Sequence, residues 1–292
     1  MSAGPDARRS TGRDLLALTK PHIVLVSTLV AAGGMALAPS PMPHGPALLV
    51  LLGVAALVGG ASALNMYLER DLDGRMPRTV SRPLPARRLA ARTVLVFGVF
   101  LAAGALATLG VAANPLTAAL GLAGLVGYTM LYTPLKRRTP LALPVGAAAG
   151  ALPPLMGWTA ATGELALPGL VLFAVLFLWQ VPHFLAIGIY RKDEYALAGF
   201  RTLVGQRGER PAWRRIVVYS TVLLPVSLSL VPLGLARGLF GGAAVVLGIG
   251  LLAVGISGMS RMTPRAAVRY FRASLVYLPL ISLGLVLDRT LF

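Results

Sequence analysis

The sequence predicts an all-α, polytopic integral membrane protein with nine transmembrane helices. Three observations carry this reading. Of the 292 residues, 56% are hydrophobic and only 13% charged, whereas soluble domains are roughly 25% charged. Apolar runs recur along the whole chain, each close to the ~20 residues that a bilayer-spanning helix needs. The few charges leave a net +17, and nearly all of them fall between the runs. Such a hydrophobic composition excludes a disordered chain. With no cysteine, disulfides, thiolate metal sites and covalently attached c-type haem are excluded as well.

In order, the runs cover residues 21–38, 46–68, 93–112, 116–135, 141–161, 167–190, 216–236, 239–258 and 273–287. Their orientation follows from the basic residues, because loops rich in Lys and Arg stay on the cytoplasmic side. With the N-terminus in the cytoplasm, 25 of the 27 basic residues fall on that side, leaving only Arg237 and Arg289 outside. The arrangement is therefore N-in and C-out, as in a multi-pass protein of the cytoplasmic (inner) membrane. The charge is a topology signal, so no nucleic-acid partner is expected; the partner is the lipid bilayer. Residues 1–292 read as a single transmembrane domain, with 1–14 a disordered cytoplasmic tail. Both long loops, 69–92 and 191–215, lie on the cytoplasmic side, and loops of that length inside a compact domain are usually functional.

The acidic residues are few and clustered. Glu69, Asp71 and Asp73 follow the second run, and Asp193 and Glu194 follow the sixth. If the second helix continues past its apolar part, Asn65, Glu69 and Asp73 recur at i, i+4 and i+8. They then share one face within about 80°, while Asp71 points elsewhere. An oxygen-bearing stripe of this kind suits Mg²⁺, which is usually held by one or two carboxylates plus substrate phosphates. Seven arginines lie within residues 70–92, and their forks match phosphate oxygens. The competing reading is a set of helix-end charges paired with nearby arginines.

Other polar groups also admit two readings. His183 lies inside the sixth run beside Pro182; a ring at membrane depth is costly and often functional, but a hydrogen bond to a neighbouring helix would also satisfy it. His22 reads as an interfacial helix-end residue and His44 as a solvated loop residue. Tyr128 and Tyr132, one turn apart, either anchor the fourth span in the aromatic belt or line the cavity. Pro153-Pro154 should kink the fifth span. Gly146, Gly150 and Gly157 permit close helix packing.

The motif Asn65-x3-Glu69-x3-Asp73-x2-Met76-x-Arg78-Thr79-x2-Arg82-Pro83-Leu84 resembles the first aspartate-rich motif of the UbiA prenyltransferase superfamily, in particular its haem-prenylating branch. The resemblance continues in Leu18-Thr19-Lys20-Pro21, in residues 132–140 (Tyr-Thr-Pro-Leu-Lys-Arg-Arg-Thr-Pro), in Gly150-Ala151-Leu152-Pro153-Pro154, in Trp179-Gln180-x-Pro182-His183-Phe184 and in Asp193-Glu194-Tyr195. It covers roughly residues 14–205; the last three spans match in hydropathy only. Glu69 and Glu194 stand where the family carries aspartate, and Phe200-Arg201-Thr202-Leu203-Val204 replaces its usual proline-containing stretch.

The resemblance implies that the nine helices surround a central cavity open to the cytoplasmic side. It implies transfer there of a farnesyl group from farnesyl diphosphate to a vinyl group of haem B, with Mg²⁺ held by Asn65, Glu69, Asp73 and Asp193 and with Glu194 assisting catalysis. It further implies that Arg78, Lys136, Arg137 and Arg138 bind the diphosphate or haem propionates, and that Lys20, Arg82, Tyr132, His183 and Tyr195 contact substrate. The product would pass to a haem A synthase or to terminal oxidase assembly. Competing readings are prenylation of a quinone-precursor ring or of chlorophyllide, a membrane transporter, and a non-enzymatic haem-handling assembly factor. The transporter reading fits less well, because transporters place charges near the midplane and here the acids gather at one face.

Overall fold

The computed structural model describes residues 5–291, and the side chains of residues 11–288. Every regular element among them is helical. Helix α1 (Pro5–Leu18) meets α2 (Pro21–Ala36) at a 47° bend. Then come α3 (His44–Asp73), α4 (Ala91–Ala112) and α5 (Pro115–Val126); α5 runs through a π-helical turn (Gly127–Tyr132) into α6 (Thr133–Leu135). Helices α7 (Ala142–Gly150) and α8 (Leu152–Thr162) are followed by α9 (Leu167–Tyr190), the short α10 (Lys192–Leu197) and α11 (Leu203–Arg207). The chain ends with α12 (Glu209–Leu228), α13 (Gly238–Arg261) and α14 (Pro264–Leu291). The helix from Pro5 departs from the disordered tail expected over 1–14; residues 1–4 lie outside the described residues.

Among the described residues, six helical stretches are long and apolar enough to cross a membrane: α3, α4, Pro115–Leu135, α9, α13 and Pro264–Asp288; the bent α1–α2 pair makes a seventh if counted as one span. The other expected spans fall short for identifiable reasons. Residues 141–161 form two helices separated at Ala151, because Pro153 and Pro154 open a new helix, where their missing N–H groups cost nothing. The break therefore comes before the prolines and not at them. The seventh expected span, 216–236, is shifted: α12 begins at Glu209 and stops at Leu228, carrying Arg210, Arg214 and Arg215 in its first turns. Apolar side chains cover the outside, Phe100 at 74% and Val111 at 90% exposure among them; such a surface is stable in lipid and a liability in water.

Two bundles form. In the first, α3 packs along α4, α4 along α5, and α2 crosses α8 closely. At that crossing a Cβ on Gly157 would collide with the Ala31 carbonyl, and one on Gly34 with the Pro154 carbonyl, so only glycine allows the backbones this near. In the second, α9, α12, α13 and α14 close into a ring. Its interior holds Trp213, Tyr270 and Tyr277, with Ser220 Oγ 2.7 Å from Tyr270 Oη and Ser227 Oγ 3.1 Å from Tyr277 Oη. The buried Asp288 carboxylate of α14 accepts from the backbone N–H groups of Arg237 and Phe240, capping α13. This supplies acceptors to a helix N-terminus that its own sequence leaves without a side-chain cap.

Candidate active site

The site is built on the last two turns of α3. Because α3 continues unbroken to Asp73, the expected stripe forms, and all three of its members are buried: Asn65 is 2% exposed, Glu69 5% and Asp73 1%. Asp71 is on the exposed side, with Arg70 as its one ion-pair partner among the described residues, at 4.0 Å. A buried charge must be paired, and each polar group of the stripe has a cationic partner from a different segment. Arg82 donates twice from Nη1 to Asp73, at 2.8 and 2.7 Å. Lys136 Nζ lies 2.5 Å from Glu69 Oε1. Lys20 Nζ donates to Asn65 Oδ1 at 3.1 Å.

Local structure explains each approach. After Asp73 the chain turns back in successive tight turns, and Thr79 Oγ1 donates to the Asp73 carbonyl at 2.7 Å; this brings Arg82 against the helix it has just left. Lys20 occupies the break between α1 and α2 with φ 54°, a left-handed backbone that a lysine seldom adopts. The π turn repositions Thr133, whose N–H reaches back to the Tyr128 carbonyl. Thr133 Oγ1 donates to that same carbonyl at 2.8 Å and accepts from Asn65 Nδ2 at 3.0 Å. The Asn65 amide is thereby fixed with its oxygen toward Lys20. Thr133 lies within the 132–140 motif, but nothing in the sequence marks it as a site residue, and only the wider turn reveals its part.

Lys136 sits over the Tyr132 ring at 4.5 Å and the Phe200 ring at 5.3 Å, while its carbonyl accepts from the Arg201 N–H at 2.8 Å. The residues that depart from the family's usual stretch thus latch the 191–208 segment onto the lysine. Tyr195 meets Phe200 edge-on at 5.8 Å, and burial raises its phenol above the ordinary tyrosine value, against the opposing pull of Arg78.

The second acidic motif is arranged otherwise. Helix α9 stops at Tyr190, so Asp193 and Glu194 ride on the separate α10. Glu194 accepts from Arg191 Nη1 at 2.8 and 3.0 Å, and Arg78 Nε stands 3.9 Å away. Asp193 is exposed, with no hydrogen bond or ion pair among the described residues. Arg137 and Arg138 are exposed too and make no side-chain contact with the stripe among the described residues. Nor do the described residues bring three or more His, Asp or Glu side chains together as a metal site. The stripe itself offers the Asn65 carbonyl oxygen and the Glu69 and Asp73 carboxylates, hard oxygens of the kind that suit Mg²⁺ completed by substrate phosphates.

His183 lies farther along α9. Its Nδ1 is 2.8 Å from Ser274 Oγ on α14, and Ser274 Oγ itself donates to the Phe271 carbonyl at 2.7 Å. The serine hydrogen is spent there, so the serine accepts from His183 Nδ1–H. This fixes the tautomer and leaves an Nε2 lone pair with no hydrogen-bond partner among the described residues. Trp179 stacks on the imidazole at 4.8 Å, and Phe271 lies at 4.9 Å.

Taken together, these features define a membrane-type helical bundle with a buried amide-carboxylate stripe ringed by cations at one end, an arrangement suited to a magnesium-borne polyphosphate. Residues 24–278 match the UbiA prenyltransferase family, and the chain belongs to that family. It is 48% identical over 275 residues, covering 94% of this chain and 93% of the relative, to a protoheme IX farnesyltransferase of Anaeromyxobacter sp. (strain Fw109-5). Among solved structures, the fold is shared with digeranylgeranylglyceryl phosphate synthase (TM-score 0.83, 12% identity, 96% of this chain and 99% of that one). It is also shared with a UbiA homolog from Archaeoglobus fulgidus bound to DMAPP and Mg²⁺ (TM-score 0.68, 15% identity, 94% and 99%).

Proposed function

We propose that this chain transfers the farnesyl group of farnesyl diphosphate to a vinyl group of haem B, releasing diphosphate and giving haem O. The observation that carries it is the buried Asn65–Glu69–Asp73 stripe with Lys20, Arg82 and Lys136 set against it, in a chain 48% identical to a protein named for that reaction. The whole chain works as one domain in the bacterial inner membrane. It crosses nine times, with the fifth span broken at Ala151, and its N-terminus and acid-bearing end face the cytoplasm. The one-sided distribution of 25 of 27 basic residues supports that orientation.

Asn65, Glu69 and Asp73 would hold Mg²⁺; when bound, the ion neutralises charge on the departing diphosphate. Every other contribution comes from the chain. Lys20, Arg82 and Lys136, held in place by the stripe, turn to the diphosphate oxygens and stabilise the charge that builds there as the allylic C–O bond breaks. Arg78, close to Glu194, serves the same anion from the segment that also carries Arg82. The Tyr132 ring, already seated under a cation, offers its π face to the allylic carbocation. The apolar interior keeps water from the cation until the vinyl carbon has attacked it. Water then adds at the resulting carbocation and loses a proton, leaving a hydroxyethylfarnesyl side chain. His183, whose Nε2 has no hydrogen-bond partner among the described residues, would ligate the haem iron and fix the ring plane.

Purified protein incubated with haem B, farnesyl diphosphate and Mg²⁺ should yield the mass of haem O. Prenylation of a quinone precursor without haem O would overturn the assignment.

A further inference from the structure

Beside the stripe, on the α1–α2 side, runs an open groove of about 450 Å³. Lys20 and Arg82 form its inner wall, His22 and Arg88 stand with them, and Ile23 and Met66 supply apolar surface. We propose that this groove binds the carboxylates of an amphipathic acceptor, which on the function proposed above are the two propionates of haem B.

The argument begins with the charges. Arg88 is anchored from one side only. Its Nε donates to both Asp14 carboxylate oxygens at 3.1 and 3.0 Å, and its Nη2 to the Ser81 carbonyl at 3.0 Å. Nη1 has no hydrogen-bond partner among the described residues, and the side chain is 45% exposed. Docking of α1 gives Arg88 its fixed position, because Leu18 packs with Ala63, Met66, Leu89 and Val94 while Asp14 holds the guanidinium. His22 lies in the first exposed turn of α2, just past the left-handed Lys20.

Chemistry then separates this groove from the donor's place. A magnesium-borne diphosphate needs carboxylate oxygens for its metal, and Glu69 and Asp73 do not line the groove: they are buried behind Lys136 and Arg82. What the groove presents is cations and an imidazole over apolar side chains, which suits bare carboxylates on an apolar ring. Haem carries its propionates on one edge and its vinyls toward the other. Holding the propionates at the outer cations therefore turns the vinyls inward, toward the allylic carbon.

The test is an absorbance titration of the full-length protein in detergent with haem B and with its dimethyl ester, without farnesyl diphosphate. Wild type should bind haem B about tenfold more tightly than the diester, the loss of one or two charge-assisted contacts at a half-exposed site. Arg88→Gln and His22→Gln should each reduce that preference, with a smaller effect on the affinity for farnesyl thiodiphosphate, and Arg88→Lys should restore part of it. If Arg88→Gln fails to fold for want of its Asp14 contact, His22→Gln still reads the groove. Equal wild-type affinity for haem B and the diester would overturn the proposal. So would variants that weaken thiodiphosphate binding and leave haem selectivity intact, or that shed a co-purified anionic phospholipid and leave haem selectivity intact. Because the titration needs no turnover, haem selectivity without farnesyl transfer would fault the proposed reaction and spare the groove, whereas no haem binding by wild type would sink both.

Discussion

The two acidic motifs have similar sequences and opposite structural fates. Glu69 and Asp73 lie on an uninterrupted 30-residue helix and are buried against Lys136 and Arg82. Asp193 and Glu194 follow a helix that ends at Tyr190; one is exposed, and the other is satisfied by Arg191 three residues away. The contrast teaches that a carboxylate becomes part of a site when its helix carries it inward and a distant cation meets it. The bundles behind the motifs differ in a parallel way. The first is joined by backbone contact at Gly34 and Gly157, the second by aromatic side chains and hydroxyl pairs.

The sharpest way to break this comparison is to remove the charges. Asp73→Asn and Glu69→Gln should each lower haem O formation by about 100-fold or more, since transition-state charge stabilisation is lost, whereas Asp193→Asn should cost less than about threefold. Equal losses, measured by mass-detected turnover, would make the motifs equivalent partners. Next is the packing contrast: Gly157→Val should destabilise the protein by about 3 kcal/mol or prevent folding, because the Ala31 carbonyl has nowhere to go. Gly250→Ala, with open space around it, should leave the unfolding temperature in detergent nearly unchanged.

A smaller effect separates the arginines. Arg82→Gln should raise KM for farnesyl diphosphate by about tenfold and Arg191→Gln by about threefold, as the partner of the buried Asp73 outweighs that of the part-exposed Glu194. The smallest concerns the second bundle: Tyr270→Phe should cost about 1 kcal/mol of stability by removing its hydrogen bond with Ser220, with little change in turnover. A large loss of turnover there would show that the α9–α14 ring does more than support His183.

Much of this was legible in the sequence. Residues 167–190 were read with the helix bounds observed, because that run is apolar throughout and ends in charge. The stripe was legible through its i, i+4, i+8 spacing. What escaped depended on contacts between distant segments. Nothing local announces that Ser274, 91 positions from His183, fixes the imidazole tautomer. The short α10 was hidden because Asp193 follows an apolar run just as Asp71 does, and only the break at Arg191 separates the two cases. The displaced α12 escaped for the opposite reason: its first turns are polar, so hydropathy placed the start too late.

The π turn at Gly127–Tyr132 gives the fourth span one place where its length can change. It takes up one residue more than an α-helical turn would. Deleting a single residue within it would leave an ordinary, equally apolar helix, and everything downstream would keep nearly its present direction. Deleting one apolar residue within Pro115–Val126 instead would rotate everything downstream by about 100°. Thr133 would then leave Asn65 and Lys136 would leave Glu69, although no charged or polar group had been removed. A screen that scores substitutions would pass over this difference, while one that scores single-codon deletions along the span would find it at once.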